Sequence, residues 1–156
     1  MIRTLLASAA AVLPASALAA ALTVSNQAQA ADLVVEVGGV RDAAGKVMVA
    51  LHAPRDGVSF PDFAGAVAAQ WRIAEPGTLR FAFPGLKPGR YAVAVYHDEN
   101  DNGELDANIL GMPTEGFGFS NDAKGFAGPP DFEAAAVEVS GDAGAAPVET
   151  TATLSY

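Results

Sequence analysis

Apolar residues alternate with other residues in short runs from Leu33 to the end of the chain. This two-residue period is typical of half-buried strands, in which successive side chains point to opposite faces of a sheet. Gly and Pro separate the runs, as at Pro76-Gly77 and Pro88-Gly89. The pattern predicts an all-β fold, an antiparallel β-sandwich of about six to eight strands, without a long helix after residue 31. The side chains expected to be buried are Leu33, Val35, Val49, Leu51, Phe81, Phe83, Val93, Val95, Val137 and Leu154.

Two segments interrupt the alternation. Residues 64–70 are compatible with a helical turn, and residues 103–130 form the longest stretch without a strand pattern. Long loops in compact domains usually carry function or are disordered. This one contains Phe117, Phe119 and Phe126 and four glycines from Gly111 to Gly125, so we expect it to be packed against the domain.

The N-terminal segment has the pattern of a secretory signal peptide. A short positive region at Met1 to Arg3 precedes an uncharged stretch rich in Ala and Leu, and Ala28-Gln29-Ala30 is a small-residue cleavage site. Residues 1–30 are therefore predicted to be a signal peptide, followed by one β-domain at residues 31–156. The expected location is the periplasm or the extracellular medium.

An uncleaved membrane anchor is the alternative for this segment. The uncharged run from Thr4 to Asn26 is long enough to span a bilayer, which takes about 20 apolar residues. However, Ala, which partitions weakly into lipid, is the commonest residue of the run, and Pro14 interrupts it. We therefore favour the signal peptide, and we expect no stable membrane insertion after its removal.

The charge of the chain excludes one class of partner. The net charge is −9, and cleavage after Ala30 makes it −10, because Arg3 is the charged residue that leaves. A chain this acidic is unsuited to binding nucleic acid through phosphates, which requires clustered Lys and Arg. The sequence also contains no Cys, so disulfides do not stabilise the domain.

An acidic segment directly after the strand pattern at Tyr91 to Tyr96 carries the strongest candidate chemistry. Its oxygen-bearing side chains recur at alternate positions around Gly103, which resembles the first half of a calcium-binding loop. Glu104, at the seventh position, would contribute its backbone carbonyl. The twelfth position, normally a bidentate Glu, is Ile109, so another group must complete the site. The predicted calcium ligands are Asp98, Asn100, Asn102, Glu104, Asp106 and Glu115, with Asp122 and Asp131 as alternatives to Glu115.

A loop without an ion explains the same residues. Asp, Asn and Gly are common turn formers whose side chains bond to their own backbone. Six acids and no Lys or Arg lie between Tyr91 and Asn121, and such crowding is unfavourable unless water or a cation separates the charges. Both hypotheses, a calcium site and a self-bonded turn, remain open at this point.

Two histidines and three aromatic residues suggest further sites. His52 and His97 each end a strand pattern, and if their strands were neighbours they could hold zinc or copper together with Asp98. A metal-dependent hydrolase or other metalloenzyme would use His97, Asp98 and Glu115. Trp71, Phe60 and Phe63 could form a face that binds sugar or peptide if they are exposed.

Three longer motifs stand out: Tyr91-Ala-Val-Ala-Val-Tyr-His-Asp-Glu-Asn100, Asn102-Gly-Glu-Leu-Asp106 and Gly111-Met-Pro-Thr-Glu-Gly-Phe-Gly-Phe-Ser-Asn121. They resemble the bacterial family catalogued as domain of unknown function 2141. The sequence departs from the family pattern at Asp101, where a small residue is common, and at Glu104, where a Lys is common. The resemblance implies an exported protein with a transthyretin-like or immunoglobulin-like sandwich, and it implies no particular activity.

Together these observations favour an exported, non-enzymatic binding or accessory module over an enzyme. Its partner is expected to be a protein or a carbohydrate, and calcium in the Asp98–Asp106 loop is expected to stabilise it.

Cleavage after Ala30 gives the first testable prediction. N-terminal sequencing of the protein recovered from the periplasm or medium should begin at Ala31, because the small-residue site ends there and a strand pattern follows. Recovery of the full-length chain in the membrane fraction would instead support the anchor.

Overall fold

A computed structural model describes residues 30–55, 59–141 and 146–156, which form eight strands and three short helical turns. The predicted signal peptide lies outside the described residues, apart from Ala30. The strands are β1 (Ala31–Val40), β2 (Lys46–His52), β3 (Ala68–Ile73), β4 (Gly77–Leu86), β5 (Gly89–Asp98), β6 (Phe117–Phe119), β7 (Val137–Val139) and β8 (Val148–Thr153). Turns of 3₁₀ helix occupy Phe63–Gly65 and Ser120–Asp122, and a four-residue α-helix, α1, occupies Phe132–Ala135.

The strands form two open sheets. The first has the order β4-β1-β8, and the second has the order β3-β2-β5-β6, with β7 pairing to the beginning of β5. All of these pairs are antiparallel except β1 with β8, which run parallel from Leu33 opposite Val148 to Gly38 opposite Thr153. The prediction of a β-rich, mainly antiparallel fold is confirmed, and a wholly antiparallel arrangement is wrong. Parallel pairing is possible here because the chain crosses the second sheet before β8 returns beside β1.

One hydrophobic cluster draws on both sheets. Alternate residues of β1 and β4 meet alternate residues of β2 and β5, as the two-residue period requires. Leu33, Val35 and Leu51 are completely inaccessible to solvent. Every side chain that the alternation predicted to be buried is buried. In the second sheet, we call the side that joins this cluster the core face and the opposite side the outer face.

The segments outside the alternation pack onto the outer face of the second sheet. Phe60, Phe63, Phe117 and Phe132 surround a second cluster of Ala92, Ala94, Phe119 and Ala135. The expected close packing holds around Phe117 and Phe119, where a Cβ on Gly118 would lie 2.7 Å from the carbonyl oxygen of Thr153. It is wrong for Phe126, whose side chain is fully exposed. The three-residue strand β6, which lies in the stretch read from sequence as loop, pairs antiparallel with β5.

Among the described residues, no helix is long and apolar enough to cross a membrane.

Candidate functional site

The carboxylate of Asp98 organises the acidic loop from inside. Asp98 ends β5 and is fully buried. Its two oxygens accept hydrogen bonds from the backbone N–H groups of Asn102 at 3.0 Å and Gly103 at 2.9 Å. Gly103 has a φ of 83°, which favours Gly, so the chain can turn back over the carboxylate. The loop is therefore wound around Asp98.

Three other predicted ligands are brought into contact with one another. The amide nitrogens of Asn100 and Asn102 donate to the two oxygens of Asp106, at 2.6 and 3.0 Å. The amide oxygen of Asn102 accepts from the backbone N–H of Glu104 at 2.8 Å, and that of Asn100 accepts from the N–H of Asn102 at 3.1 Å. The structure thus brings these three side chains together, with amide nitrogens facing the Asp106 carboxylate where a calcium site would need amide oxygens.

Glu115 joins the two ends of the loop. One of its carboxylate oxygens accepts from the N–H of Glu99 at 2.8 Å, and the other accepts from the N–H of Asp106 at 3.0 Å. The residue is only 5% exposed. Glu115 does reach the loop, as predicted, and it holds backbone amides there. Asp122 lies elsewhere and binds β8 through the N–H of Thr153 at 2.6 Å.

Cations from distant parts of the sequence neutralise much of the loop. Lys46 on β2 lies 3.5 Å from Asp98 and 2.5 Å from Asp101, and Arg41 lies 2.6 Å from Glu99. The hydrogen bond to Asp101 is the main cause of a raised Lys46 pKa, and the hydrogen bond to Glu99 is the main cause of a raised Arg41 pKa. The sequence of the loop could not show either cation, because Arg41 and Lys46 are distant in sequence and reach the loop only in the folded sheet.

Calcium would have to rearrange this loop. Within the part of the chain that the structure describes, no three His, Asp or Glu side chains are grouped so as to hold a metal ion. A calcium site would therefore draw on the amide oxygens of Asn100 and Asn102. Both amides would need to turn over and release their backbone partners, whereas Asp98 and Asp106 supply suitable hard oxygens. The calcium site stays a prediction.

The two histidines lie apart. In the β2–β5 ladder, His52 pairs with Ala92 and His97 pairs with Val47, which puts the histidines at opposite ends and on opposite faces. They cannot share a zinc or copper ion in this arrangement. The imidazole of His97 is fully buried, and its nitrogens lie 2.8 Å from the Tyr156 hydroxyl and 2.7 Å from the Ala44 carbonyl oxygen. Among the described residues, His97, Asp98 and Glu115 are therefore not grouped so as to hold a metal ion.

A shallow cleft of about 530 Å³ lies on the outer face beside the acidic loop. We call it the aromatic cleft. The rings come from the 3₁₀ turn, β5 and β6, and residues 103–105 of the acidic loop form one wall. The side chains that define it are Phe63, Tyr96, Leu105, Phe117, Phe119, Asp62 and Glu104.

The acidic loop is fastened to the floor of the aromatic cleft through Tyr96. The Tyr96 hydroxyl donates to the carbonyl oxygen of Gly103 at 2.8 Å. Burial, followed by the charge of Asp98, raises the pKa of Tyr96, so the hydroxyl keeps its proton for this bond. The Phe63 ring packs edge-on against the Tyr96 ring, with centroids 4.7 Å apart. Loop order and cleft shape are consequently coupled.

The aromatic cleft carries negative charge at its rim. The Glu104 carboxylate forms no ion pair with any described residue, and Asp62 bonds through one oxygen to the N–H of Ala64 at 3.0 Å. The cleft is lined by these two acids and by no described Lys, Arg or His. Of the aromatic residues that the sequence suggested for binding, Phe63 lines this cleft, whereas Trp71 lies exposed on the edge strand β3.

A second shallow cleft, of about 400 Å³, lies at the end of β2. His52, Phe60, Phe132 and Glu133 are among its lining residues. His52 is 2% exposed, and its Nε2 has no hydrogen-bond partner among the described residues. Burial lowers the pKa of His52, which keeps the ring neutral at neutral pH. Phe60 meets the imidazole edge-on, so an aromatic environment surrounds it.

An ordered aliphatic projection follows the acidic loop. A bridge between Ala107 and Pro113 closes it, and the side-chain oxygen of Asn108 accepts from the N–H groups of Leu110 and Met112, at 2.9 and 3.2 Å. Ile109, Leu110 and Met112 nevertheless extend into solvent, with Leu110 81% exposed. We call these three side chains the aliphatic tip. In the sequence, the tip is recognisable only as the adjacent apolar pair Ile109-Leu110 within a polar loop.

A comparison with protein families matches the model described as "Uncharacterized protein conserved in bacteria (DUF2141)" over residues 35–146. The chain belongs to this family. The family match confirms the resemblance, and the matched range includes the residues of the acidic loop, the aromatic cleft and the aliphatic tip. No curated protein and no solved structure matches the chain.

The position of Glu115 generates a prediction about loop order. In Glu115→Gln, an amide N–H₂ must face one of two backbone N–H donors, so the free energy of unfolding should fall by about 1–3 kcal/mol. Hydrogen exchange at the amides of Glu99 and Asp106 should accelerate. Glu104→Gln is the matched control, because this exposed carboxylate in the same loop holds no backbone amide. Equal melting temperatures and equal exchange for the two variants would show that Glu115 does not hold the loop closed.

Proposed function

We propose that the protein is an exported, non-enzymatic β-sandwich module that binds a protein segment or a carbohydrate in the aromatic cleft. The single observation that supports it best is the cleft itself, a concave surface of about 530 Å³ with aromatic walls and a few polar groups. Ligand sites in proteins usually have this size and composition. A transthyretin-like or immunoglobulin-like sandwich is the finer fold in this proposal, supported by two mostly antiparallel sheets around one core.

The polar groups beside the cleft favour binding over catalysis. An acid–base or nucleophilic mechanism needs a reactive group with its proton acceptor at an open position. Both nitrogens of His97 are engaged by Tyr156 and Ala44, and both oxygens of Glu115 hold backbone amides. Glu115 thereby maintains the shape of the acidic loop, which forms one wall of the aromatic cleft.

Calcium binding at the Asp98–Asp106 loop is the second part of the proposal. An ion held by Asp98, Asp106 and the turned amide oxygens of Asn100 and Asn102 would replace the hydrogen bonds that now join these side chains. Glu115 would keep the loop ends together, and the Glu104 carbonyl would face the ion. The ion would then fix the same wall of the cleft more firmly.

Calcium should raise the melting temperature of the wild type. A ligand at 100 times its dissociation constant adds about 2.7 kcal/mol to the free energy of unfolding. Asp106→Asn should abolish the gain, since it removes the half-buried carboxylate on which both amides converge. Asp98→Ala is less informative, because it leaves buried N–H groups without an acceptor. Glu138→Gln, which changes an exposed acid on β7 outside the loop, is the control. A wild-type melt unchanged by millimolar calcium, a concentration that fills weak extracellular sites, would leave the self-bonded turn as the explanation.

Binding in the aromatic cleft can be tested on mixed arrays of peptides and oligosaccharides. Wild-type protein should retain specific array members that Leu105→Ser does not, because a hydroxyl replaces an apolar contact in the cleft wall. Trp71→Ala, which removes an exposed ring on β3, should bind like the wild type. If Leu105→Ser keeps the wild-type pattern while Trp71→Ala loses it, the binding surface is the β3 edge and the proposal is wrong.

A further inference from the structure

The aromatic cleft combines apolar walls with uncompensated acids. Phe63, Tyr96, Phe117 and Phe119 supply the rings, and Glu104 at the rim forms no ion pair with any described residue. Lys46 and Arg41 neutralise the acids nearer to β5, so the charge that remains at the cleft is negative. A ligand that fits must therefore offer both apolar groups and positive charge.

The ring geometry distinguishes between the two ligand classes of the proposed function. Sugars commonly stack on a flat aromatic face. Here the Phe63 and Tyr96 rings are inclined at 75°, and the Phe117 and Phe119 rings at 67°. Inclined rings enclose an inserted side chain from several directions instead of presenting one platform. Their faces also attract a cation within about 6 Å.

The aliphatic tip follows the cleft wall along the chain, with Ile109 only four residues after Leu105. Its backbone is ordered by the bonds of Asn108 to Leu110 and Met112, and the N–H of Thr114 donates to the Asp106 carbonyl oxygen at 2.8 Å. Its three neighbouring exposed aliphatic side chains form an apolar patch that a binding partner would cover. Because the tip follows directly on the wall of the cleft, a polypeptide is a better match than a compact small molecule.

We infer that the aromatic cleft and the aliphatic tip bind a cationic amphipathic polypeptide segment. An apolar side chain of the segment occupies the cleft between Phe63 and Leu105, and neighbouring Lys or Arg side chains pair with Glu104 and Asp62. The overall charge of the chain, −9 before any cleavage, attracts such a segment from a distance. This inference rests on the proposed function and selects a protein ligand over a carbohydrate.

The test is titration calorimetry with short capped peptides of known composition. The probe alternates Leu and Lys; the first control alternates Leu and Glu, and the second alternates Ser and Lys. The Leu–Lys peptide should bind, and both controls should bind at least ~10-fold more weakly, because each lacks one of the two required features. Binding should weaken as salt rises from low ionic strength, since rim charges are screened over ~10 Å at 0.1 M.

Variants locate the peptide on the protein. Leu105→Ser should weaken binding by ~10-fold, and the double change Asp62→Asn with Glu104→Gln should weaken it by a factor of ~2–5 per exposed pair. Leu110→Ser should reduce affinity for longer Leu–Lys peptides more than for short ones. Trp71→Ala should change nothing. Melting curves of each variant establish that it is folded before titration.

Each other result overturns the inference in a recognisable way. If the Ser–Lys peptide bound as tightly as the Leu–Lys peptide, charge attraction alone would explain the binding. Leu–Lys binding that survives Leu105→Ser would place the peptide elsewhere. Cleft-dependent binding of an oligosaccharide without any Leu–Lys binding would refute the inference and preserve the proposed function. Loss of all cleft-dependent binding, on arrays and in calorimetry, would refute both.

Discussion

The register between β2 and β5 is the constraint on which the rest of the molecule depends. Pairing Val49 with Val95 sends one set of side chains to the core face and presents Ala94 and Tyr96 on the outer face. The same ladder places Lys46 opposite Asp98 at its far end. A slip of one residue would exchange the two faces, expose the core valines and separate the buried carboxylate from its cation.

Burial of Asp98 has to be compensated, and the compensation produces the loop. An ionised carboxylate in the interior is costly unless hydrogen bonds and an opposite charge satisfy it. Two backbone N–H groups and Lys46 do this for Asp98, and Gly45 allows the approach of the neighbouring turn, since a Cβ there would lie 1.8 Å from the Asp98 carbonyl oxygen. The wall of the aromatic cleft is thus a consequence of solvating one buried acid with protein groups.

The sequence predicted local features well and long-range ones poorly, for a physical reason. Period-two alternation reports burial residue by residue, which is why Leu33 and Phe81 were identified correctly. Spacing around Gly103 also identified the side chains that gather in the loop. It could not show that amide nitrogens would face Asp106, because the orientation of an amide depends on its hydrogen-bond partners. The spacing also could not show that Lys46 contacts the loop, because Lys46 reaches it through the pairing of β2 with β5. The parallel neighbour of β1 was missed for the same reason.

The parallel pair of β1 and β8 also governs how the domain can assemble. These strands come from near the two ends of the described chain, so the first sheet requires closure of almost the largest loop that the domain allows. Folds dominated by such distant contacts reach the native state slowly, over milliseconds to seconds. A nascent chain can complete the second sheet as far as β6 while β1 still has an open edge beside β4. The unfinished intermediate therefore exposes a strand edge, and only synthesis of the last strand protects it from pairing with another molecule.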